Sequence, residues 1–165
     1  MLVIGIDPGT ATTGFGLIEY SEDGGARVVD WGLIETAKEG SPESRLVKIH
    51  EDLVEKLTSY KPDILAIERV FFATNAKTAI SVGQAIGVMM LSAAKMNVPV
   101  REYAPGSIKK AVAGTGRADK KTMQKSVRKV LGAKVRSAAH KKTHFDNAAD
   151  ALAVALCHLM KEQLI

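Results

Sequence analysis

Apolar residues in this chain alternate between short filled runs and a helical three-to-four-residue spacing, and the switches mark its elements. Leu2, Val3, Ile4 and Ile6 form a first strand that ends in one carboxylate, Asp7, before Pro8 and Gly9 force a turn. Gly14–Tyr20 reads as a returning strand and Arg27–Ile34 as a third, with Ser21–Gly25 as the turn between them. Such short connections favour an antiparallel meander. Ser41-Pro42 signals a helix start, and Leu46, Ile49, Leu53, Leu57 and Tyr60 keep one apolar face up to Lys61-Pro62. Asp63–Val70 is a second buried strand, and it too carries a single acid near its end, Glu68. A helical crossover makes it parallel to the first strand, so neighbouring positions in the sheet bring Asp7 and Glu68 together.

Asn75 is placed to cap a long helix running to about Asn97, with small residues Gly83, Ala85, Gly87, Ala93 and Ala94 where another backbone can approach. Val98–Tyr103 is predicted as the last strand and Pro105–Ala113 as a short helix, followed by a flexible Gly114–Arg117 loop. Asp119–Leu131 is amphipathic, with Met123, Val127, Val130 and Leu131 inward and Lys121, Lys125 and Arg128 outward. Gly132–Lys142 reads as a basic, mobile connection. The last helix opens at Thr143–Asp146, a capping-box-like pattern, and runs to Met160 apolar on nearly every side except at Asn147 and Asp150. The 165 residues are expected to form a single domain.

Composition sharpens one point. The net charge is +5, but ten Lys or Arg stand against one acid between Arg117 and Lys142, and the remainder is slightly acidic. One surface is therefore suited to a polyanion. The single cysteine, Cys157, cannot form an internal disulfide and is expected as a buried thiol. No zinc-type Cys/His spacing, signal sequence or stretch approaching a membrane span is read, which makes the expected location cytoplasmic and no membrane a partner.

Asp7, Glu68 and Asp150 thus end otherwise apolar elements. Taken singly each has a structural explanation: Asp7 caps its turn, Glu68 pairs with Arg69 or a basic helix, and Asp150 complements the helix dipole. Gathered together, they repel unless cations neutralise them, and hard divalent ions such as Mg²⁺ suit a sparse carboxylate set. Acids at a metal with bases around it are what phosphodiester hydrolysis requires.

GIDPGTATTGFG, LAIERVFFATNAKTAISVGQAIGV, GTGRADKK and NAADALAVALCH, in this order, resemble RuvC-type Holliday-junction resolvases over nearly the whole chain. The resemblance implies an α/β, RNase H-like fold: a five-stranded mixed sheet, three antiparallel strands then two parallel, with helices on both faces. It implies a homodimer that resolves four-way DNA junctions by paired symmetric nicks leaving 5′-phosphates, and a possible RuvAB-type branch-migration partner. Asp7, Glu68 and Asp150 match acids that hold two Mg²⁺ ions, with Mn²⁺ possible, and Asn147 stands at a fourth ligand position where the family usually has Asp. Asp146 is a possible substitute, although the cap role suits it better. Phe71 matches an aromatic that acts on unpaired bases, with Phe72 and Arg69 beside it. Lys109 and Lys120 match lysines at the cut phosphate, and Arg117 and Lys121 extend that basic surface. Gly83, Gln84 and Gly87 match the dimer helix. The competing readings are a junction-binding protein weakened in cleavage by Asn147, an RNase H-like nuclease of the YqgF type, and an actin-like or sugar-kinase-like ATPase. The last needs two such domains, for which this chain is too short.

Overall fold

A computed structural model describes residues 1–69, 76–132 and 142–165, with the backbone alone at 76 and 142–147. Strands β1 (Leu2–Asp7), β2 (Thr12–Ser21) and β3 (Gly25–Glu35) are followed by α1 (Pro42–Tyr60) and β4 (Ile64–Glu68). Then come α2 (Ala76–Lys95), β5 (Val100–Tyr103), α3 (Pro105–Ala113), α4 (Lys120–Leu131) and α5 (Lys142–Lys161). The five strands form one sheet in the order β3-β2-β1-β4-β5. The first three are antiparallel, and β4 and β5 run parallel to β1.

Strand alternation divides the core into two layers. Ile4, Ile6, Leu17, Leu65 and Ile67 face α1 and α2, whereas Val3, Ile18, Trp31 and Ala66 face α3, α4 and α5. By the same period Asp7 and Glu68 point towards the α5 side. Gly5 and Gly16 are register partners on that face. A Cβ on Gly5 would collide with the Ala151 carbonyl oxygen and stand 2.6 Å from the Ala155 amide nitrogen; one on Gly16 would lie 2.7 Å from Leu152. Two glycines side by side therefore let α5 lie directly on the sheet.

Several boundaries differ from the predicted ones. Both meander strands are longer, with a bulge opposite Leu17/Ile18. The fourth strand starts after Asp63, whose carboxylate accepts the Leu2 amide at 2.7 Å, and it stops at Glu68. The fifth starts at Val100 rather than Val98, and α2 ends at Lys95. Val130 is exposed rather than inward, because Met123, Val127 and Leu131 already complete the i, i+4 stripe. The last helix opens at Lys142, which puts Thr143 inside the first turn. The Asn75 cap and most of the basic connection lie outside the described residues. Segment Lys77–Lys95 is, by length and composition, long and apolar enough to cross a membrane, with mean hydropathy 1.2, which corrects the expectation that no stretch approaches that length. Its Ala85, Ile86, Met89 and Ala93 are buried against the sheet.

Candidate active site at the sheet edge

Three elements deliver one acid each to the same place. Asp7 and Glu68 end adjacent parallel strands, and Asp150 comes from the third turn of α5, one residue before the Ala151 carbonyl that contacts Gly5. All three line one cavity of about 250 Å³, together with Lys109 of α3 and Lys120 of α4. Lys120 Nζ lies 3.4 Å from Asp150 Oδ2.

Burial pushes the Asp7 carboxyl up to about 7, and the charges of Glu68 and Asp150 push the same way. Burial also raises Glu68, with Asp150 adding to it and Lys109 opposing. Such crowding costs free energy unless positive charge compensates it. Among the described residues no three acids or histidines form a ready-made metal cage. The donor set is nevertheless all oxygen, in an open cavity. That chemistry fits a hard divalent ion that keeps several waters.

Capping of the turn by Asp7 and pairing of Glu68 with Arg69 do not account for this arrangement. The turn after Asp7 is braced by Thr13, whose buried hydroxyl donates to the Gly9 carbonyl at 2.7 Å and accepts from the Gly9 amide at 3.4 Å. Thr36 ties the same turn to β3, its hydroxyl donating to the Thr10 carbonyl at 2.8 Å. Arg69 pairs with Glu102 at 3.3 Å rather than with Glu68.

A family model described as "Crossover junction endodeoxyribonuclease RuvC" matches residues 3–158. The chain belongs to the RuvC family. A relative of that name from Syntrophomonas wolfei is 45% identical over 164 residues, 99% of this chain and 91% of its own. Another of that name, from Caldicellulosiruptor saccharolyticus, is 41% identical over 165 residues, 100% of this chain and 96% of its own. The structure of T. thermophilus RuvC in complex with Holliday junction substrate is similar with a TM-score of 0.86 at 32% identity, covering 99% of this chain and 96% of that one. The RNase H-like fold implied by the motifs is the fold of this RuvC-family chain.

Of the remaining site residues singled out from the sequence, none of the described ones lines this cavity. Lys121 and Arg117 are exposed, in the first turn of α4 and in the loop before it. Gly83, Gln84 and Gly87 are exposed on α2, on the opposite side of the sheet, and space around both glycines is open. Phe71 and Phe72 lie outside the described residues, and of Asn147 the backbone position in α5 is all that is described. Sequence reasoning missed the paired glycines under α5 and the threonine brace on the Asp7 turn. The first had a readable signal: Gly5 and Gly16 interrupt two facing apolar strands.

Proposed function

We propose that this chain is a structure-selective endodeoxyribonuclease that resolves four-way DNA junctions in recombination and repair. The observation that carries this reading is the convergence of Asp7, Glu68 and Asp150 with Lys109 and Lys120 in one cavity of a RuvC-family fold. Asp7, Glu68 and Asp150, with Asn147 at the fourth position, would hold two Mg²⁺ ions, replaceable by Mn²⁺, which would supply positive charge and Lewis acidity at the scissile phosphate. Lys109 and Lys120 hold phosphate oxygens beside the cut, with Arg69, Arg117 and Lys121 extending the contact along the backbone. Phe71, with Phe72, stacks on bases at the open junction centre. In the reaction, a water oxygen loses a proton and bonds to phosphorus as the bond to the 3′ oxygen breaks; that oxygen takes up a proton and leaves as a 3′-hydroxyl, and the other product carries the 5′-phosphate.

The protein acts as a homodimer through the α2 face bearing Gly83, Gln84 and Gly87. A two-fold protein on a roughly two-fold junction makes paired, symmetric nicks. A RuvAB-type branch-migration complex is the matching partner, and the cytoplasm the matching location. Single-domain organisation over residues 1–165 belongs to the same reading.

Asn147 favours a second reading, a junction-binding protein with weakened cleavage, because an amide ligates without charge. Cleavage of a labelled four-way junction and a linear duplex by this chain and by Asn147→Asp, with Mg²⁺ or Mn²⁺, tests both. Paired nicks in the junction by both proteins support resolution with Asn147 as a working ligand. Cutting by the Asp variant alone supports the weakened enzyme. No junction preference in either protein overturns the proposed function.

A further inference from the structure

A second cavity, of about 280 Å³, lies on the other side of the turn that follows Asp7. Thr10 of that turn, Arg45 and Leu46 of α1, and Ser81 and Gln84 of α2 line it, with Pro42 at the α1 N-terminus. Among the described residues no acid lines this cavity, and the charged group that does is the half-buried Arg45 guanidinium. Arg45 donates from Nη2 to the Lys38 carbonyl at 2.6 Å and from Nε to the Gly40 carbonyl at 3.3 Å. It makes no ion pair among the described residues. These two carbonyls fix the guanidinium in place and leave its charge uncompensated, with further N–H donors to spare. Ser81 gives its proton to the Thr78 carbonyl at 3.0 Å. The end of α1 that opens on the cavity carries the positive pole of the helix dipole.

Position selects the ligand. Thr10 is three residues from Asp7, and Thr36 holds the Thr10 carbonyl so that the turn between the two cavities is fixed.

We propose that the Arg45 cavity binds a non-scissile phosphodiester group of the DNA strand whose neighbouring phosphate lies at Asp7, Glu68 and Asp150. This rests on the nuclease reading above. Arg45 supplies the charge-assisted contact, and Thr10 links the site mechanically to the acid-bearing turn.

The test is the salt dependence of binding by the full chain, with metal chelated, to a labelled four-way junction and to a linear duplex. Wild type is compared with Arg45→Gln and with Ser81→Asp, which sets a carboxylate beside Arg45 without removing its two carbonyl bonds. A lost phosphate contact lowers the log–log slope by about 0.9 per site. Affinity at fixed low salt is expected to fall about tenfold or more in both variants, as for one charge-assisted hydrogen bond. The melting temperature of Ser81→Asp is expected to stay within a few degrees of wild type. An unchanged slope and affinity in Ser81→Asp overturns the inference and leaves Arg45 as a brace for the Lys38–Gly40 loop. Unchanged slopes with a wild-type melting temperature that rises in inorganic phosphate, and does so no longer in Ser81→Asp, also overturn it, in favour of a free-anion site. Failure of the nuclease reading is distinguishable: wild type then shows no preference for the junction, while the linear duplex still reports on the Arg45 cavity.

Discussion

Asp7 stands in a crowded acid cluster. It is largely buried, two further carboxylates share its cavity, and its acid is pushed up to about 7. Replacing Asp7 by Asn removes one of the three repelling charges and keeps its shape. Cleavage of a four-way junction is expected to fall by about 10²–10³-fold or more, the range for loss of one preorganised electrostatic contact. The same variant, freed of metal by chelation at pH 8, is expected to melt higher than the wild type, at about 2–4 °C per kcal/mol of relieved repulsion for a chain of this size. Calorimetry beside a cleavage assay checks both effects, and a lower melting temperature sinks the account of a strained acid cluster. Cys157 is the opposite case. Burial in the apolar α5 drives its thiol up to about 11, which makes it a packing group rather than a reactive one.

At the scale of elements, the site depends on how closely α5 can approach the sheet. Gly5 faces the Ala151 carbonyl and Gly16 faces Leu152, immediately below Asp7 and Asp150. Gly5→Ala is expected to cost about 1–3 kcal/mol, as overpacked cores do. It is also expected to cut junction cleavage more than Gly16→Ala does, because α5 must lift at Asp150 itself. Denaturant midpoints and single-turnover rates separate the two effects; equal activity loss at equal stability loss defeats the positioning role. A second tie joins α1 to the edge strand. The Tyr60 hydroxyl donates to Asp30 Oδ2 at 2.6 Å, and this bond pushes the phenol up to about 12. A raised folded-state value stabilises the fold below the phenol's unfolded pKa of about 10 and is lost as pH rises through 12. Tyr60→Phe is therefore expected to lose about 1 kcal/mol at pH 8, at the modest end for a partly exposed bond to a charge. The deficit is expected to shrink above pH 10, as urea titrations across that range check.

These dependencies also separate what could be read from the sequence. Asp7 and Glu68 were legible as neighbours because parallel strands joined by one crossover leave few alternatives, and Asp150 because a polar residue interrupts an apolar helix. The family motifs added the lysines. The elements themselves followed from periodicity, and their ends did not: the pairing of Thr12 and Ser21 with β3 is a tertiary fact that local pattern leaves open. Val130 was misread because an apolar residue adjacent to a completed stripe has the right chemistry and the wrong angle. The Arg45 cavity was illegible for a deeper reason. Its walls come from three segments far apart in sequence, and nothing in their spacing marks them as partners.

For the whole molecule, the two faces of α2 differ in their surroundings. Ala85, Ile86, Met89 and Ala93 pack on the sheet, while Ile80 is 64% exposed and Leu91 58% exposed, in line with Gly83, Gln84 and Gly87 at i, i+3, i+4, i+7 and i+11. Large apolar side chains flanking small ones on one stripe allow close approach by a second helix, and an isologous pairing of two such stripes gives the proposed two-fold dimer. Gly87→Glu sets a charge at the middle of that stripe, where open space lets it be built without disturbing its own fold. The expected outcome is a monomer by sedimentation with a wild-type circular dichroism spectrum. In junction cleavage the paired cuts are expected to become independent: single nicks accumulate, and the second cut no longer follows within the lifetime of one complex. A variant that remains dimeric excludes α2 as the interface, and a monomer that still cuts in pairs separates coordinated incision from dimer symmetry.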